Sequence, residues 1–240
     1  MADVDDLLAR LARGLARVHA SGRPLPDRLC RAGADVLDCD GGAITMAYTR
    51  VERVTLCATD DTALTLEETQ DVVGQGPGPD ALATGSYARF DLVDVDGPDP
   101  RWPLLDTESL TALAPLVVHA LPMGEGADQV VGVFTLYQRG TGRYLDLDAA
   151  MVVARVTAAA LLADGPSQHD AGQGPWAERA EVHQATGMVV AQLGVPEEDA
   201  LALLRAHAYS HDQSMGHTAH EVISRQVTFS AGPDEEIEST

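Results

Sequence analysis

Twelve residues, Asp164 to Pro175, hold three glycines and two prolines. Such a run interrupts any helix that enters it and serves as a spacer. The patterning differs in kind on its two sides. Before it, apolar residues recur with both helical and strand periods; after it, only the helical period survives. The sequence therefore predicts a mixed unit over 1–163, a linker over 164–175, a three-helix unit over 176–229 and an acidic tail, expected to be disordered, over 230–240.

In the first unit, Val4, Leu8, Leu11, Leu15 and Val18 fall at spacings of 4, 3, 4 and 3, a helix with a narrow apolar seam. A second helix is expected from Asp27 to Leu37. Alternation of Ile44, Met46 and Tyr48 with smaller residues then reads as a strand, and Val54–Ala58 as its neighbour. Gly74–Pro79 reads as a turn after a helix. A phosphate cradle there is excluded by chemistry: two prolines remove amide donors and no Lys-Ser/Thr follows. Further strands are expected over 87–93, 116–122 and 129–137, the last two joined at Gly124-Glu125-Gly126, with a short helix over Trp102–Leu113. The helical period returns with Leu147, Met151, Ala154, Ala158 and Leu161. Helices flanking an antiparallel sheet make an α+β fold.

Composition narrows the function classes. The 240 residues carry a net charge of −21, all 16 basic residues are arginine, and lysine and asparagine are absent, as coding bias in a GC-rich genome would produce. Such a chain repels phosphate backbones and anionic membranes unless it carries a local basic patch. Three cysteines (Cys30, Cys39, Cys57) are too few for a disulfide framework, none forms a C-x-x-C pair, and buried apolar thiols are the expectation. Charged residues fill the first twenty positions, leaving no signal-peptide core, and the longest mostly apolar stretch is far short of a membrane span. The expectation is a soluble cytoplasmic protein. No ordered catalytic triad or paired-carboxylate motif stands out, so no catalytic residue is assigned and an enzyme is not expected.

In the second unit, Val182, Ala185, Val189 and Leu193 share one helix face that Gly194 can end. Pro196 suits the first position of the next helix, with Glu197, Glu198 and Asp199 complementing its dipole and Ala200, Leu203, Leu204 and Ala208 its stripe. Ser214 can cap the third, whose stripe is Met215, Ala219, Val222 and Ile223.

Three spaced motifs recur here in order: Arg179-x-x-Val182-x-Gln184-Ala185-x-Gly187, Ala200-x-x-x-Leu204-Arg205-x-x-Ala208, and Ala219-x-x-Val222. Residues 176–229 thereby resemble the ANTAR domain, a three-helix RNA-binding output module of transcription antiterminators. The first unit is similar to a GAF domain, through Gly74–Leu82, the Phe90-Asp91-Leu92 strand and the Val130–Tyr137 strand; GAF–ANTAR pairs are common in actinobacteria. The resemblance implies a homodimer holding RNA stem-loops of a nascent transcript, under control of a small-molecule ligand or other signal at the GAF domain. It implies RNA contacts at Gln184, Ala185 and Gly187 on the first helix, Arg205 and Ala208 on the second and Ala219 on the third; Tyr209 can add a stacking surface if exposed. The alanines equally suit positions where helices pack tightly. No cofactor-attachment signature is visible, so the cofactor stays unknown.

Two features oppose RNA. Thr186 stands where many ANTAR domains have lysine, and 176–229 carry three arginines against seven carboxylates, a net of −4. RNA binders draw much of their affinity from cationic contacts. An acidic, degenerate module that binds a protein partner is the alternative. His207 and His211 at i, i+4, and His217 and His220 at i, i+3, have metal-compatible spacing, but polar surface histidines are the plainer reading and no metal is assigned.

Overall fold

The computed structural model describes residues 4–19, 22–47, 53–93, 99–105, 110–124, 129–140, 142–164 and 175–230, the side chains of 19 and 175–179 excepted. The interior of the expected linker and nearly all of the acidic tail lie outside them. The chain divides into two compact units, Met1–Trp176 and Ala177–Thr240. The fold is α+β. Among the described residues no helix is long and apolar enough to cross a membrane.

The first unit is built on five antiparallel strands: β1 (Gly41–Ala47), β2 (Arg53–Ala58), β3 (Ala88–Leu92), β4 (Leu116–Pro122) and β5 (Gly132–Arg139), in the order β2-β1-β5-β4-β3. Central strands with both faces covered read as unbroken apolar runs, which is why every residue of β4 is buried. Edge strand β3 alternates instead: Ala88, Phe90 and Leu92 go in, Arg89 and Asp91 out.

One face of the sheet, carrying Ile44, Met46, Leu121, Phe134 and Leu136, is covered by α1 (Val4–His19), α2 (Leu25–Val36) and α5 (Leu147–Asp164). Gly33 of α2 lies so close to the sheet that a Cβ there would fall 2.7 Å from the Phe134 ring. On the other face, α3 (Asp61–Val73), α4 (Pro77–Thr84) and Trp102, Leu105, Leu110 and Leu113 cover Ala43, Val118, Val133 and Tyr137. Trp102 closes that layer edge-on against Phe90, with centroids 5.8 Å apart.

Several expectations shift. The buried line of α1 is Leu7, Leu11 and Gly14, the last set against Ala32, rather than the Val4–Val18 seam; Leu8 and Leu15 are half-buried and Val4 is exposed. Close approach of two helices at Gly14 rotates the contact by about one position. Residues 74–79 do turn, with Gly74 left-handed at φ 66°, but the chain re-enters a helix at Pro77, where proline's fixed φ suits the first turn. Of the expected Trp102–Leu113 helix, Leu110 and Thr111 are helical, the 101–105 end forms turns, with the Trp102 and Leu105 amides each bonded three residues back, and 106–109 lie outside the described residues. Residues 125–128 of the expected β4–β5 turn lie outside the described residues.

Candidate nucleic-acid interface

The second unit consists of α6 (Pro175–Leu193), α7 (Glu197–Ser210) and α8 (Met215–Ile223), followed by a segment to Ser230. Local chemistry sets each boundary. Gly194, at φ 69°, ends α6 with its amide on the Val190 carbonyl. Pro196 sits at the cap of α7, one position before the expected start, and Glu197, Glu198 and Asp199 occupy the first turn. The Ser214 hydroxyl accepts from the His217 amide and caps α8. Arg225, left-handed at φ 61°, closes it, with the Gln226 amide returning to the Glu221 carbonyl.

Ala185, Ala208 and Ala219 are fully buried, with Val189, Ala200, Leu204 and Val222. They pack the three helices together, and a larger side chain at any of them would force the helices apart. Thr186 belongs to the same interior: it is 2% exposed and its hydroxyl donates to the Val182 carbonyl. A lysine at this position would be buried.

The other residues singled out from the sequence face outward. Gln184 and Gly187 lie on the exposed side of α6, with Ala180 and Ala191 at the same helical spacing. A Cβ added at Gly187 would meet nothing within 4 Å. On α7, half-buried Arg205 and Tyr209, which is 57% exposed, stand one turn apart on the same flank. The sites thus form an outward polar and aromatic set on α6 and α7 and an inward alanine set.

One feature went unread in the sequence. The His207 and His211 rings stack, 4.0 Å between centroids and 24° between planes, and Phe229 meets His207 edge-on at 5.8 Å. The Phe229 amide is fixed by the Gln192 side chain of α6 at 2.9 Å. The i, i+4 spacing was visible, but the partner from the C-terminal segment was not. Desolvation, then the neighbouring His211, holds His207 below the usual imidazole value, against the pull of Glu221. The other histidines of this unit, His183, His217 and His220, are exposed: His183 lies 3.6 Å from Glu197 and His217 3.6 Å from Glu221. Among the described residues no group of three or more His, Cys, Asp or Glu side chains is placed to hold a metal.

In the first unit a buried polar constellation lies between the sheet and α3. Thr45 donates to Glu67 Oε2 at 2.7 Å and its hydroxyl meets that of Thr55 at 3.0 Å. Glu67 Oε1 and the Thr135 hydroxyl, both out of contact with water, lack a well-formed hydrogen bond. Burial raises the Glu67 carboxyl above the usual carboxylate range, although Thr135, Thr45 and Arg53 favour its ionised form. Beside it, Gln70 bridges two helices, accepting from the Gly78 amide and donating to the Leu66 carbonyl.

No curated protein matches the chain. Among solved structures, one described as "Structure of an RNA-binding Light-Oxygen-Voltage Receptor" aligns at 19% identity and a TM-score of 0.24, over 77% of this chain. The chain spans 48% of that receptor's length, and the likeness is too loose to transfer anything from it. The family comparison is local: residues 175–223, from the first residue of α6 to the last of α8, match the ANTAR domain.

Proposed function

We propose that this protein is a cytoplasmic regulator in which a GAF-like unit senses a ligand or signal and controls an ANTAR output that, as a homodimer, binds RNA stem-loops in transcription antitermination. The observation that carries this reading is the ANTAR match, running from end to end of the α6–α8 module. The outward set on that module has the right chemistry. Arg205 can stack on a base or pair with phosphate, Tyr209 offers an aromatic face, Gln184 supplies donor and acceptor, and Gly187 allows an RNA backbone to approach α6 closely. Ala185, Ala208 and Ala219 act on this surface through the spacing of the helices beneath it.

Support for the other parts is of the same physical kind. A sensing role suits the buried Glu67–Thr135 constellation, where two polar atoms lack well-formed bonds on a covered face of the sheet. Dimerisation suits α1 and α5, whose Val4, Leu147 and Leu162 are exposed.

The test is a gel shift of the full-length protein with a tandem stem-loop RNA from its own genome, against a loop-scrambled control, at several salt concentrations. Loop-dependent binding, weakened about fivefold or more in Arg205→Ala, is the expected result, since one base contact contributes about 1–3 kcal/mol. The salt dependence should be shallow, because the module has three arginines to displace counterions. A second reading is favoured by the net charge of −4: the module binds a protein partner instead. Absence of loop-dependent binding by folded, dimeric protein, with and without cell-extract ligands, would favour it.

A further inference from the structure

The first unit contains three free cysteines, and two of them, Cys30 and Cys57, pack in one apolar cluster. Cys30 lies on the inner side of α2 and is wholly buried. Cys57 lies on the edge strand β2 and is half-buried. Across the β1–β2 ladder Cys57 stands opposite Ile44, whose side chain points into the layer under α2. Side chains opposite one another in a ladder share a face. The register therefore turns Cys57 toward α2, and it packs in the same apolar cluster as Cys30. The charges neighbouring Cys30 are Asp27 and Arg31. Cys39 is placed differently: its thiol donates to the Leu37 carbonyl at 3.7 Å, and the charged groups around it are Arg143, Asp38 and Asp40.

We propose that Cys30 and Cys57 form a redox dithiol that closes to an intramolecular disulfide, tying α2 to edge strand β2, when the protein meets a hydroperoxide. Cys57, the more accessible thiol, reacts first. Its sulfur takes one oxygen as the peroxide O–O bond breaks, and with hydrogen peroxide the other oxygen leaves as water; Cys57 becomes a sulfenic acid. The Cys30 sulfur then attacks the Cys57 sulfur, the S–O bond breaks, the S–S bond forms, and a second water carries off the Cys30 proton. Two thiols lose two electrons in total and the peroxide is reduced to two waters. The order follows from burial. Desolvation raises the Cys30 thiol well above its usual range, which protects it from peroxide in solution, whereas a sulfenic sulfur held beside it is at very high local concentration. The bond matters to the fold because edge strand β2 has one neighbouring strand, β1, and would gain a covalent anchor to the helical layer on its inner face.

The experiment uses the reduced full-length protein, titrated with hydrogen peroxide, quenched in denaturant with a maleimide, and read by intact mass and peptide mapping. The reduced protein takes three maleimides, one per cysteine. The expected product is monomeric, two hydrogens lighter, takes one maleimide on Cys39, and yields a Cys30–Cys57 peptide that dithiothreitol separates. Cys39→Ser should form the same bond, and Cys57→Ser should form none. The wild-type map alone decides the matter, so a poorly folding variant does not blunt the test. A bond that includes Cys39, a bond between chains, or oxidation of single cysteines to sulfinic acid without loss of two hydrogens would overturn the proposal.

Discussion

Replacing Gly187 by alanine should stabilise the C-terminal module, and the amount can be worked from the structure. Gly187 is interior to α6, which runs from Pro175 to Leu193, so it carries the full entropic penalty of glycine in a helix. Against alanine that penalty is about 0.8–1.0 kcal/mol. Nothing offsets it locally, because a methyl group there would touch no atom within 4 Å. For a unit of this size about 1 kcal/mol corresponds to a rise in Tm of roughly 4–8 °C. Circular dichroism melts of wild-type and Gly187→Ala protein, followed at helical wavelengths at two protein concentrations, would read it. A Tm that stays level or falls would refute the reasoning, since it would mean that something already lies against Gly187 in solution. The same variant separates stability from function. If RNA approaches α6 at this glycine, Gly187→Ala should melt higher and bind the stem-loop more weakly.

Other outcomes follow from the same geometry. Glu67→Gln should be at least as stable as wild type at neutral pH, by about 1 kcal/mol, because an amide can donate toward Thr135 where the carboxylate leaves an orphaned oxygen. In the wild type the folded carboxyl holds its proton above the value at which the unfolded chain releases it, so stability falls as pH rises from the ordinary carboxylate value toward the raised one. Urea titrations at pH 5 and 7.5 should show that slope in wild type and a flatter one in Glu67→Gln; a steeper loss in the variant would contradict the assignment. Gly33→Ala, despite its better helix propensity, should destabilise the first unit by about 1–3 kcal/mol, because its methyl group overlaps the buried Phe134 ring and must displace α2. Denaturant midpoints would settle that sign. Thr186→Lys should cost about 3 kcal/mol or more by burying an unpaired ammonium in the module; a variant that folds unharmed would show that this position faces outward in solution.

The legible parts of this molecule are those where apolar periodicity and burial coincide. β4 was expected over 116–122 and is found at those bounds, and the Ser214 cap and Gly194 stop are as the residue types imply. Helix α3 was legible only by its end, as the helix before the Gly74 turn, because its buried side includes Thr62, Glu67 and Gln70, polar residues that spoil the apolar pattern and bond inside to Arg139, to Thr45 and to the backbone. Helix α4 is hidden by its own Pro-Gly-Pro start, which looks like a break and serves as a first turn. The α1 seam is displaced because Gly14 makes its contact by being small, a property that hydrophobicity does not rank. In the candidate interface, residue type alone could not separate Ala185, Ala208 and Ala219 from Gln184 and Gly187; burial does, since small residues serve helix packing and RNA approach equally well. The edge-on contact of Phe229 with His207 joins residues 22 positions apart in the chain, and no local pattern marks it.

The pairing of β1 with β5 has a consequence for how the chain reaches its folded state. Gly41–Met46 zip against Gly132–Tyr137, so the centre of the sheet waits until more than half of the polypeptide has been made. Until then β1 has β2 as its ladder partner, and a lone hairpin is marginal in water. The α6–α8 module, made of three consecutive helices with short connections, faces no such delay and belongs to the class that folds in microseconds to milliseconds. Although it is synthesised last, it should be the first part to recover when the whole chain is diluted from denaturant. Refolding of the full-length protein should therefore show a fast helical phase followed by a slower one in which the sheet closes.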